Sequence, residues 1–138
     1  MTDTATQPGA LTTAELTSQP EIWAQALALP AETLALLPAT GEKVLVIGCG
    51  TSYYMGDSYA YLRNDAGLGR TRAAIPTELT WVDPDEHIVV ISRSGTTADV
   101  VEIVERFGAS NRITAILGDL DTPLGRMCDR IVHLGFAD

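Results

Sequence analysis

Cysteine, basic charge and long apolar runs are all scarce in this 138-residue chain, and each scarcity removes a class of function. Two cysteines, Cys49 and Cys128, cannot staple a secreted mini-protein, and neither stands at a zinc-ligand spacing, so both are expected as reduced thiols and no metal site is expected. Nine Lys and Arg against eighteen Asp and Glu leave a net charge of −9, with no basic face to neutralise a nucleic-acid backbone. Nucleic acid is therefore not an expected partner. No apolar stretch approaches the ~20 residues of a membrane span, and the polar opening lacks the blocks of a secretory signal, so a cytoplasmic protein without a membrane partner is expected.

Cofactor signatures are missing too. No Gly-Lys-Ser or Gly-Lys-Thr occurs for a P-loop, and no Gly-x-Ser-x-Gly for a nucleophile elbow. A dinucleotide fingerprint fails because Tyr53 stands after Thr51-Ser52, and the second strand closes on Ile75-Pro76 without an acid for a ribose. No cofactor is expected. What remains is 46% hydrophobic and 20% charged, enough for one core and one domain.

Along the chain, residues 1–11 read as a flexible, Thr- and Ala-rich start. Residues 12–40 read as a helical segment: a capping box at Ser18-Gln19-Pro20-Glu21 opens one short helix, Pro30 ends it, and a second runs from Ala31 to Leu37. Their apolar residues exceed what two short helices can bury against each other, so they are expected to pack on a sheet or a partner. From about residue 41 strands and helices alternate. Val44–Ile47 is an unbroken apolar run, followed by a helical pattern with Met55, Tyr59 and Leu62 at three- and four-residue spacing. Strands at Thr71–Ile75, His87–Ile91, Arg112–Leu117 and Arg130–Leu134 follow, with helices at Ala98–Phe107 and Thr122–Cys128 between the later ones. Such alternation predicts an α/β fold of three layers, a five-stranded parallel flavodoxin-like sheet with helices on both faces. Trp23 and Trp81 read as core or interface anchors.

Two junctions carry the chemistry. Gly48-Cys49-Gly50-Thr51-Ser52 and Ser92-Arg93-Ser94-Gly95-Thr96-Thr97 each join an apolar strand to a helix through Gly, Ser and Thr. In a flavodoxin-like order the first and third strands are neighbours, so both junctions flank the switch point where such sheets bind ligands. Hydroxyls at Thr51, Ser52, Ser92, Ser94, Thr96 and Thr97, with the N–H groups of two helix starts, would hold a phosphate without a cluster of cations. Plain helix capping by the same Ser and Thr is the simpler alternative. Candidates for proton transfer are weak: His87 starts a strand on the opposite edge and reads as a surface or turn residue, His133 as a satisfied structural residue, Glu78 as a solvated carboxylate, and Cys49 as a small packing residue. The catalytic residues stay unassigned.

At these residues the chain resembles the SIS (sugar isomerase) domain family, from about Lys43 to Leu134. The first junction is similar to the first phosphosugar loop of glucosamine-6-phosphate synthase isomerase domains, and the second to their serine-rich loop. Pro76-Thr77-Glu78-Leu79 stands where the family often has a Ser-Glu-Phe-like segment. The resemblance implies Thr51, Ser52, Ser92, Ser94 and Thr97 as sugar-phosphate contacts, with Cys49, Gly50 and Gly95 shaping the backbone. Arg93 departs from the Gln common in the synthases and resembles galactosamine/tagatose-phosphate isomerase/deaminase relatives. It further implies that residues 41–138 are the first of two SIS units, that the acid and base come largely from the second, and that a second unit or a homo-oligomer partner completes the site. The implied function is the N-terminal half of an aldose-ketose isomerase or deaminase of (amino)sugar 6-phosphates, or alternatively the phosphosugar-sensing module of a regulator.

Overall fold

A computed structural model describes residues 8–137. The Val44–Ile47 run has no polar side chain to offer water, and it becomes the centre of a sheet covered on both faces. Strand β1 (Lys43–Ile47) pairs in parallel with β2 (Thr71–Ala74) on one side and β3 (Glu86–Ser92) on the other. Beyond β3 follow β4 (Ile113–Leu117) and β5 (Ile131–His133), also parallel, giving the order β2-β1-β3-β4-β5. This is the doubly wound order expected from the sequence, and the chain reverses direction between β1 and β3.

Side chains alternate across the strands, so two cores form. Val44, Val46 and Val89 face the layer of helix α3 (Thr51–Asp65), with Tyr59 packed against them. Leu45, Ile47, Ile88, Val90 and Leu117 face α4 (Ala98–Phe107) and α5 (Pro123–Met127), meeting Val100, Ile103, Val104 and Leu124. Each such side chain, wholly buried, contributes about 1.5–3 kcal/mol. α3 turns a different face to the sheet than its sequence pattern implies: it buries Gly56, Ala60 and Arg63, while Met55 and Leu62 stay exposed. A methyl on Gly56 would lie 2.8 Å from Val46 Cγ1, so only small residues fit at the contact.

The amino-terminal segment differs most from expectation. Residues 1–7 lie outside the described residues, and Ala10 and Leu11, expected in the flexible start, form the first turn of a long helix α1 (Ala10–Leu27). The Ser18 box is not a start: the Ser18 hydroxyl donates back to the Glu15 carbonyl (2.9 Å) and Pro20 lies inside the helix. An exposed Pro forfeits one helical bond there, and the good helix formers Ala, Leu, Gln and Glu carry the helix past it. α1 has no fully buried residue; one face, at Ser18, Ile22 and Ala26, is half-buried, so it packs only loosely. Trp23 is 62% exposed, not a core anchor, and Trp81 is also exposed, its ring facing the Arg72 guanidinium at 4.3 Å. α2 (Ala31–Leu34) is shorter than expected, and the turn after it closes the lower edge of the sheet, where Leu36 O accepts from Thr114 and Arg130.

Candidate functional site

Both Gly-Ser-Thr junctions leave the sheet at the carboxyl ends of adjacent strands. The first turns at Gly50, whose φ of +55° is a conformation that Gly alone adopts without strain, and α3 begins immediately after it. The second is braced from three sides. Ser92, buried, accepts the Gly95 N–H on its Oγ (3.1 Å), the Gly118 N–H binds Arg93 O (3.1 Å), and the Leu124 N–H binds Gly95 O (3.2 Å). Gly95 has φ +62°, and a Cβ there would stand 2.8 Å from Thr122 Cβ, so no other residue fits without moving the loop after β4. The β4 end thus fixes the loop that follows β3.

Between the two loops lies one cavity of about 210 Å³. Cys49 and Ser52 line it from the first junction, and Ser92, Arg93, Ser94 and Thr97 from the second, with Ile91 at its floor. Gly50, Thr51 and Gly95 are not on its wall: Gly50 and Thr51 are exposed at the head of α3, and Gly95 is buried beneath the loop. Thr96 also turns away and donates its hydroxyl to Ser94 Oγ (3.1 Å). Neither Gly50 nor Thr97 caps its helix with a side-chain bond, so capping does not account for these hydroxyls. With its lone pair on Gly95, Ser92 keeps its O–H to donate. Burial, helped by the Asp99 carboxylate, pushes the Cys49 thiol up, so it is a thiol and not a nucleophilic thiolate at neutral pH.

The other proton-transfer candidates do not line this cavity. Glu78 is exposed in a 3-10 turn (Pro76–Glu78) after β2. His133 is exposed on β5, with Nε2 3.1 Å from Gly118 O. His87 is on the opposite edge, as expected, but it is buried, not a surface residue: Nε2 meets Thr114 Oγ1 at 2.8 Å and Nδ1 faces Glu42 at 3.4 Å. Those partners are distant in sequence and could not be read from it. Among the described residues no group of three His, Cys, Asp or Glu could hold a metal ion, and no helix is long and apolar enough to cross a membrane.

No family model matches the chain. Its curated relatives include the isomerizing glutamine–fructose-6-phosphate aminotransferase of Aeropyrum pernix, 30% identical over 130 residues, which are 87% of this chain and 21% of that protein. The Mycobacterium tuberculosis protein of the same name is 28% identical over 97 residues, 67% of this chain and 16% of its own length. The chain is an SIS domain. It resembles the isomerase domain of these aminotransferases and spans about a fifth of their length or less. The same SIS fold is seen in an E. coli CFT073 protein in complex with A5P (TM-score 0.75, 20% identity, 96% of this chain and 75% of that one). It recurs in the C-terminal domain of glucosamine-fructose-6-phosphate aminotransferase from Francisella tularensis (TM-score 0.70, 23% identity, 87% of this chain and 38% of that one).

A second cavity between α1 and Arg93 adjoins the first, and the sequence does not announce it. Glu15, Gln19 and Trp23 stand across it from Arg93. Nothing local signals it, because the placement of a helix without buried residues leaves no hydrophobic pattern to read.

Proposed function

We propose that this SIS domain is the phosphosugar-binding half of an aldose-ketose isomerase or deaminase acting on (amino)sugar 6-phosphates. The observation that carries the reading is the convergence of two braced, hydroxyl-bearing loops from adjacent strands on one cavity. Ser52, Ser92, Ser94 and Thr97 are the phosphate contacts, Arg93 the one cation, and Cys49 a neutral wall; Gly50, Thr51 and Gly95 act through the backbone that positions them. Dipoles and hydroxyls suit this acidic chain, which offers few cations for the task. Names of the curated relatives, which include fructose-6-phosphate, support the sugar class.

Isomerisation needs a base beside the carbonyl and an acid for ring opening, and among the described residues no carboxylate or imidazole lines this cavity. The reading therefore includes a partner, a second SIS unit or a second copy of the chain, that supplies them. Large apolar residues left exposed on α1 and α3, among them Leu16, Leu27, Tyr61 and Leu62, support such pairing. The two unpaired thiols suit a cytoplasmic setting.

The experiment is a thermal-shift panel of fructose 6-phosphate and glucosamine 6-phosphate against the free sugars. Only folded protein binds, so ligand at 100 times Kd adds about 2.7 kcal/mol and raises the melting temperature. The rise should require the phosphate and vanish in Ser94→Ala/Thr97→Val. A response to free sugars alone, or one untouched by that double substitution, would move the site elsewhere.

A further inference from the structure

Arg93 belongs to two cavities. One is the hydroxyl-lined site; the other, about 320 Å³, lies between Arg93, Ala137 and one side of α1. Resting on the phosphosugar reading above, we propose that this second cavity takes the hydroxyl-rich end of the ligand whose phosphate lies in the first. α1 is then the specificity wall for a hexose 6-phosphate or a similar polyhydroxylated phosphate ester.

Size is the first argument. The hydroxyl-lined cavity, about 210 Å³, lies below the ~300 Å³ at which ordinary small-molecule sites begin. It suits a phosphate group, whereas a whole sugar phosphate needs adjoining space, and the cavity that shares Arg93 is that space. Chemistry is the second. Glu15, Ser18, Gln19 and Ile22 follow the i, i+3, i+4, i+7 spacing of a single helical face, and Trp23 adjoins them. A carboxylate that accepts, an amide and a hydroxyl that both accept and donate, and a flat indole are what hydroxyl groups and the C–H face of a sugar require. Core packing does not explain this set, since α1 has no fully buried residue.

Charge gives the third argument, because it orients the ligand. Arg93 attracts the phosphate dianion from the boundary of both cavities, and Glu15 repels it from the second. The reversed pose would place two anions, the phosphate and Glu15, in one cavity. Only one direction satisfies both ends.

The test uses two neutral truncations, Gln19→Ala and Trp23→Ala, singly and together, titrated with fructose 6-phosphate and with inorganic phosphate. Gln19 and Trp23 are exposed, so the melting temperature without ligand should hold. Loss of two such contacts should weaken fructose 6-phosphate about tenfold, with phosphate affinity unchanged within about twofold. In parallel, Trp81→Phe leaves Trp23 as the sole indole, and its emission should respond saturably to fructose 6-phosphate and not to phosphate. Should fructose 6-phosphate bind with Trp23 silent, or the truncations leave its affinity intact, the wall is overturned while the phosphosugar reading stands. Should neither compound stabilise the unaltered protein, that reading falls and the wall with it.

Discussion

Ser92 and Ser94 look equivalent in sequence and are not equivalent in the fold. Ser92 is buried and spends a lone pair on the Gly95 N–H, so its loss would loosen the loop; Ser94 is exposed on the cavity wall. Gly95 is the residue on which the loop depends. Gly95→Ala should cost about 1–3 kcal/mol through its left-handed φ, with the Thr122 contact added, and chemical denaturation would measure it; an unchanged midpoint would refute the bracing argument. Asp99 opposes the anion: it stands in the first turn of α4 and its charge is felt at Cys49 on the cavity wall. Asp99→Asn should therefore tighten inorganic phosphate about two- to fivefold, read by the same titration. Cys49, held as a thiol by burial and by Asp99, should alkylate slowly at pH 7 and faster only above its ordinary value of 9.0. Bound phosphosugar should slow it further, and protection absent at saturating ligand would remove Cys49 from the wall.

Elements were legible in the sequence to the degree that their own residues decide them. β1 could be read because its four apolar residues have no solvated face, and both loops because Gly with Ser and Thr after an apolar run marks a strand turning into a helix. The helical period of α3 was readable, its buried face was not: Met55 and Leu62 form an apolar stripe, but contact with Val46 at Gly56 decides which side goes inward. α1 was misjudged at Ser18 and Pro20 because local start signals were weighed against a continuous run of helix formers, and the run won. Edge strand β2 holds a partner that no pattern announced. Arg72 donates to both oxygens of Glu86 (2.7 and 2.8 Å), and although burial alone would raise that carboxyl, Arg72 and the Asp83 N–H outweigh it and hold Glu86 below the usual range. Arg72→Ala leaves that carboxylate buried and half-satisfied, which should cost about 3–5 kcal/mol. Denaturant unfolding would check this, and a loss under about 1 kcal/mol would mean that water reaches Glu86 instead.

For the whole molecule, the edge opposite the ligand governs the response to acid. Thr114 donates to Leu36 O (2.7 Å), so its oxygen receives the proton of His87 Nε2, with Arg130 Nε beside it at 3.3 Å. Burial pushes the His87 pKa down; Glu42 partly opposes this, while Arg112 and Arg130 assist it. The unfolded chain then takes up the proton first. Stability should be level above pH 6.5, the ordinary His value, and fall below it until the lower folded value is reached. The slope contributed is at most about 1.4 kcal/mol per pH unit, and denaturation at a series of pH values should show it diminished in His87→Gln. Glu42 and Glu86, both lowered overall, add to the loss only below about their ordinary 4.5. Self-association belongs to this scale too. If the apolar residues on α1 mediate pairing, sedimentation should find a dimer that Leu16→Glu/Leu27→Glu dissociates, and a monomer at about 100 μM would confine the partner to a separate SIS unit.

A helix with no fully buried residue is held to the sheet weakly, so its amides should open while the strands stay closed. If a sugar bridges α1 to Arg93, the guest itself becomes the tether. Deuterium uptake across residues 10–27 would then report occupancy of the crevice, slowing on binding while the strands keep their own rates. A single stretch of backbone would then report whether the guest is in place.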